Sequence, residues 1–99
     1  MPEISKLLQD GDVWFSLRDK KEFLAWAKEK GCTWQNGKEI DPEGDCLCHM
    51  AVHTDKTIAN VGMQVWYAGQ AEGKRKYVFE EYLNGRLLKA EDTAVCMPV

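Results

Sequence analysis

The amino-acid sequence predicts an α+β fold, with one main helix packed on a mainly antiparallel sheet of four to five strands. Residues 12–17, DVWFSL, alternate in the manner of a half-buried strand. Residues 20–30, KKEFLAWAKEK, carry apolar side chains at helical spacing. Residues 33–61 then break into short runs separated by Asn-, Gly- and Pro-containing turns.

Each element has a local reason. Gln9-Asp10-Gly11-Asp12 is a turn signal. In the first strand Val13, Phe15 and Leu17 share one face, and Trp14 and Ser16 the other. Asp19 stands at an N-cap, with Glu22 three residues on and placed to reach back, the capping-box arrangement. Phe23, Trp26 and Ala27 form the helix stripe with Leu24 beside it, and Gly31 supplies a left-handed stop. In TWQNGKEI (33–40), Asn36-Gly37 is the pair best able to take positive φ at both centres of a type I′ hairpin turn. DPEGD (41–45) reads as a turn, CLCHMAVH (46–53) as a strand, TDK (54–56) as a turn and TIANV (57–61) as the returning strand. GMQVWYAG (62–69) and KYVFEEYL (76–83) fit both periods. Val65 and Ala68, like Phe79 and Leu83, are helically spaced, while alternation continues from Val61 and links Tyr77 to Phe79. The tail from Gly85 ends in TAVCMPV, an expected short edge strand.

The 99 residues make one domain, 1–99, and a composition of 44% apolar and 29% charged residues places it among folding chains rather than disordered ones. No apolar run approaches the ~20 residues of a membrane span. The first six residues lack the basic-then-apolar order of a signal peptide, so the expected location is cytoplasmic. A net charge of −3 argues against a general nucleic-acid coat and is too small for a DNA mimic. Residues 1–45 carry seven Lys/Arg against ten Asp/Glu, and residues 46–99 six against six, so neither half is basic.

Two cysteines and two histidines fall within residues 46–53. On a strand, Cys46, Cys48, Met50 and Val52 share one face and Leu47, His49, Ala51 and His53 the other. His49 and His53 would lie roughly 13 Å apart at strand rise, whereas two ligands of one zinc sit within ~4 Å. Only a helix would align the two histidines at i and i+4. A Cys46–Cys48 disulfide would span ~6.6 Å between α-carbons, near the top of the allowed range. The cysteines are therefore expected to be reduced and to pack as small hydrophobes. A zinc-stabilised domain that recruits Cys32 or Cys96 remains an alternative, although a lone C-x-C with two distant cysteines is not a strong zinc pattern. No metal and no cofactor is expected.

Asp41, Glu43 and Asp45 resemble the start of a calcium loop, but the glycine is fourth rather than sixth and Val52 occupies the twelfth position, so a solvated turn is expected. No phosphate-binding glycine loop, nucleophile elbow or H-E-x-x-H is present, and adjacent Cys48 and His49 would point apart, so a non-catalytic protein is expected. Four tryptophans are a high load for this length. Trp26 belongs to the helix stripe. Trp14 lies opposite Val13, Phe15 and Leu17, and Trp66, on a strand, opposite Val61, Met63, Val65 and Tyr67. One helix covers one sheet face, so residues 85–99 cover the other or its aromatics serve recognition, where Trp and Tyr dominate hot spots.

The segment VWFSLRDKKEFLAWAKEKGCTWQNGKEI, residues 13–40, resembles small proteins common in phages and prophages of Gram-positive bacteria. Their pattern is a strand, a helix with a Phe-x-x-Trp/Phe stripe, then Gly-x-x-Trp-x-x-Gly, matched here by Phe23, Trp26, Gly31, Trp34 and Gly37. The resemblance implies a protein that blocks host functions, including antiviral defence such as CRISPR effectors, by binding a host protein; it carries no functional residue over. The expected site is Trp14 and Trp66 on a sheet face, with Lys74, Arg75 and Lys76 of the basic turn. Alternatives are closure of that face by a homodimer, or capture of a nucleotide or single strand, with the tryptophans stacking on bases and the three basic residues on phosphates.

Overall fold

The computed structural model describes residues 4–69 and 75–90. A turn of helix, α1 (Ile4–Leu7), runs into a 3₁₀ turn at Leu8–Asp10, followed by β1 (Val13–Ser16), α2 (Lys20–Glu29), β2 (Thr33–Trp34), β3 (His49–Val52), β4 (Thr57–Asn60), α3 (Met63–Gly69), β5 (Lys76–Val78) and α4 (Phe79–Leu83). The strands form one sheet in the order β2-β4-β3-β1-β5. β3 pairs antiparallel with both β1 and β4, while β5 runs parallel to β1 and β2 parallel to β4. The fold is α+β, but the sheet is mixed rather than mainly antiparallel, and short helices accompany the main one.

α2 forms where local signals agree. Asp19 Oδ1 accepts the Glu22 N–H at 3.1 Å, the first half of the expected capping box. The second half differs, because the Asp19 N–H, with that of Arg18, donates to Glu80 Oε2 at 3.1 and 3.0 Å. A carboxylate from α4, distant in sequence, thus holds the entry to α2. At the other end Gly31 takes φ +81°, the Gly31 N–H reaches the Lys28 carbonyl at 3.1 Å and the Cys32 N–H reaches Ala27 at 2.9 Å. That pair of bonds is the Schellman stop, which only glycine enters without a Cβ penalty.

Elsewhere tertiary packing decides. KYVFEEYL divides, with β5 ending at Val78 and α4 starting at Phe79. GMQVWYAG is helical from Met63 as α3. The expected strand over 46–53 is confined to His49–Val52. The Asn36-Gly37 turn is not type I′, because Gly37 has positive φ (+89°) and Asn36 does not. The Gly37 N–H donates to the Trp34 carbonyl (2.8 Å) and the Trp34 N–H to Lys38 (2.9 Å), a three-residue loop with one left-handed position. The His53–Thr57 connection repeats this pattern with Lys56 at φ +65°. The tail 91–99, with its expected edge strand, lies outside the described residues. Residues 88–90 do line β5, through Val78 N–H to Leu88 carbonyl and Ala90 N–H to Lys76 carbonyl.

Strand alternation sorts the core into two faces. On the first, Val13, Phe15, Leu17, Met50, Val52 and Ile58 meet α1, α2 and α4. Ile4, Leu7 and Leu8 join this core from a helical start that the turn signal at residues 9–12 did not announce. On the second face, Trp14, Ala51, Val61, Trp66, Val78 and Ala90 cluster under α3.

Candidate functional site

α3 answers the question of the second face. Trp66 is fully buried and stacks on Trp14, ring centroids 5.9 Å apart, and on His49 at 4.3 Å. Trp14 is 8% exposed. The expectation of an open aromatic sheet face is thereby corrected, because the α3 tryptophan lies across it; the other expected cover, residues 85–99, is described only as far as Ala90. Of those later residues, Ala90 joins the cluster.

The described part of the basic turn, Arg75 and Lys76, also bonds inward. The Arg75 guanidinium donates to the carbonyls of Gly11 (3.0 Å) and Leu7 (2.9 Å), fastening β5 to the N-terminal turn. Lys76 is buried, with its ammonium 5.0 Å from the Trp66 ring centroid and donating to the Trp66 carbonyl. Lys74 lies outside the described residues. Arg75 and Lys76 are thus spent on internal carbonyls rather than offered to phosphates.

Of the Cys/His segment only His49 lies in the strand itself; Cys46, Cys48 and His53 flank it, and Cys48 is only partly buried. Cys46 and Cys32 pack in the first-face core, and burial pushes the Cys32 thiol up from its ordinary range. His49 faces the second cluster, where burial and then the Lys76 ammonium hold its imidazole down. His53 Nδ1 shares a 2.8 Å hydrogen bond with Asp12 Oδ2, and Asp12 Oδ1 accepts the Thr54 N–H at 2.9 Å. Among the described residues no group of three His, Cys, Asp or Glu side chains is placed to hold a metal ion. Asp41 Oδ1 accepts the Glu43 N–H (2.9 Å), while Glu43 and Asp45 reach Lys21 and Lys20 of α2 at 3.6 and 3.7 Å, the contacts of a solvated turn.

The surface feature that sequence reasoning missed is at the other end of the sheet. Of the four tryptophans, Trp14, Trp26 and Trp66 are buried and Trp34 is half-buried. Trp34 lines an open recess of about 410 Å³ with Gln35, Asn36, Ile58, Ala59 and Asn60, none of which carries a charge. β2 places Trp34 beside Ile58, then turns back, leaving the rest of β4 to form the far wall. Asn36 Oδ1 accepts the Lys38 N–H (3.0 Å) and Asn60 Oδ1 accepts the Leu47 N–H (2.9 Å), so both carboxamides are held in place by their oxygens and keep their NH₂ groups as donors. The signal in the sequence was the Gly-x-x-Trp-x-x-Gly run itself, whose central tryptophan sits where the chain leaves the sheet.

No family model, curated protein or solved structure matches the chain. Among the described residues no helix is long and apolar enough to cross a membrane.

Proposed function

We propose that this chain is a small non-catalytic interaction protein that binds and blocks a host protein in the cytoplasm. The phage resemblance supplies the partner class, a defence enzyme such as a CRISPR effector. The observation that carries the reading is Trp34, half-exposed in an uncharged recess at the sheet edge while the other tryptophans are buried. Tryptophan is among the side chains most enriched at binding hot spots. Leu47, Met63, Val65, Leu87 and Leu88 are also large apolar side chains left exposed, and any near the recess would widen the contact. A single-strand ligand is less well supported, because Arg75 and Lys76 face inward and the recess lining carries no cation.

Size-exclusion chromatography with a panel of purified CRISPR effector nucleases tests the reading. The expected result is co-elution with one of them, weakened about tenfold or more by Trp34→Ala. Absence of a shift with every nuclease, or a complex indifferent to Trp34→Ala, would sink it. A chain that elutes as its own dimer, closed through Trp34, would count against it equally.

A further inference from the structure

The recess has a direction built into its backbone. The His53 N–H donates to the Thr57 carbonyl (2.8 Å) and the Val61 N–H to the His49 carbonyl (2.9 Å), which marks the hydrogen-bonded positions of the β3–β4 pair. With Ala51 opposite Ala59, alternation along an antiparallel pair turns the main-chain groups of Ile58 and Asn60 away from β3. The Ile58 carbonyl is met by the Gln35 N–H at 3.0 Å, the last rung that β2 supplies. Gly37 then bends the chain back on Trp34, and the ladder stops one rung short of Asn60. The recess is the space the next rungs would fill. The opposite edge of the sheet differs, since residues 88–90 lie along β5 and cover it.

We propose that this open edge of β4 takes an extended, uncharged peptide segment as an added strand beyond the end of β2, with Trp34 as its side-chain anchor. The proposal deepens the protein-binding reading and rests on it. The main-chain N–H and C=O of Asn60 are matched by another strand, whereas a helix satisfies its own backbone and has none to offer. The carboxamides of Gln35, Asn36 and Asn60 supply donors and acceptors suited to further peptide groups. The lining offers a charged segment no counter-charge, so an uncharged one loses less on leaving water.

A displayed library of random peptides, selected on the folded chain and followed by amide NMR with the selected synthetic peptide, tests this. Binding is expected to shift the Asn60 amide and the Trp34 indole signals, to slow exchange of the Asn60 amide and to weaken about tenfold in Trp34→Ala. N-methylation scanned along the peptide leaves the protein untouched and so does not depend on the folding of any variant. Methyl groups on one alternate set of peptide nitrogens abolish binding and those on the other set are tolerated, because a strand bonds through one edge. A selection that yields no peptide, binding indifferent to N-methylation, or shifts confined to other surfaces would overturn the added strand. If peptides fail while a nuclease complex still depends on Trp34, the protein-binding reading stands and strand addition falls. If Trp34→Ala leaves that complex intact, both fall.

Discussion

The two faces of the sheet are held by different chemistry. On the first, the Phe15 ring is the hub of an apolar net, with Phe23, Trp26, Phe79 and Tyr82 at centroid distances of 6.3, 6.1, 5.3 and 5.4 Å. Those partners come from α2 and α4, so several elements share the load. On the second, one short helix is docked by Trp66, which leans on Trp14, on His49 and on the Lys76 ammonium. The Nε1 of Trp66 and the Nε2 of His49 are buried there without a hydrogen-bond partner. A face built from redundant apolar contacts should tolerate changes of pH. A face that buries an imidazole beside an ammonium should not.

The largest expected effects separate the faces directly. Phe15→Ala removes the hub ring and should cost about 3–5 kcal/mol in urea unfolding. Trp66→Ala also opens a large void, with an expected cost of about 3 kcal/mol. The distribution of the loss should differ. Native-state hydrogen exchange should accelerate throughout in Phe15→Ala, but in Trp66→Ala chiefly over Met63–Gly69, with α2 still protected. Equal acceleration of α2 in both variants would show that the second face is part of one indivisible core.

How much of this was legible follows from where each signal lies. α2 could be read because its cap residue, stripe and stop are all local, at Asp19, Phe23–Ala27 and Gly31. Glu80 at the mouth of α2 could not, since the contact spans more than sixty residues. Residues 62–69 and 76–83 satisfy both periods, and packing chose between them: Trp66 gains burial on Trp14 only as part of a helix, and Phe79 enters the first core only after β5 stops. The site was misplaced for the same reason. Trp14 looked exposed because nothing local announced that α3 would cover it, and Trp34 gave no sign that β2 would end beside it.

A middle-sized effect tests the chemistry of the second face. Burial and the Lys76 ammonium hold the His49 imidazole below its ordinary range. The unfolded chain therefore takes up a proton near pH ~6.5, where the folded chain does not. The His49 contribution to stability is fully present above that pH and is lost as pH falls from there toward the lowered folded-state value, at no more than about 1.4 kcal/mol per pH unit. His49→Leu should remove this slope. Urea midpoints measured at about pH 7.5 and about pH 5.5 should therefore move in favour of the variant at the acid end. Identical pH dependence in the two proteins would show that the second face relaxes around a charged imidazole.

The smallest effect touches neither face and so serves as a reference for both. The loops after Trp34 and His53 have the same hydrogen-bond pattern, but one places Gly37 at the left-handed position and the other Lys56. A side chain at positive φ costs on the order of 1 kcal/mol against glycine. Glycine returns part of that gain through the greater freedom of the unfolded chain, about 0.4–1 kcal/mol. Lys56→Gly should therefore stabilise by about half a kcal/mol, read as a higher urea midpoint at unchanged slope. Gly37→Lys should lose by a similar amount, with the opposite sign, because it installs the strain that Lys56 already carries. The Asp55 carboxylate sharpens the comparison. Its Oδ1 accepts both the Thr57 hydroxyl (2.7 Å) and the Thr57 N–H (3.1 Å), so the lysine loop holds its shape with bonds that do not involve the Lys56 side chain. If Lys56→Gly destabilises, the stem of that lysine, whose Nζ lies over Gly31 at the end of α2, contributes more by packing than its backbone loses by strain.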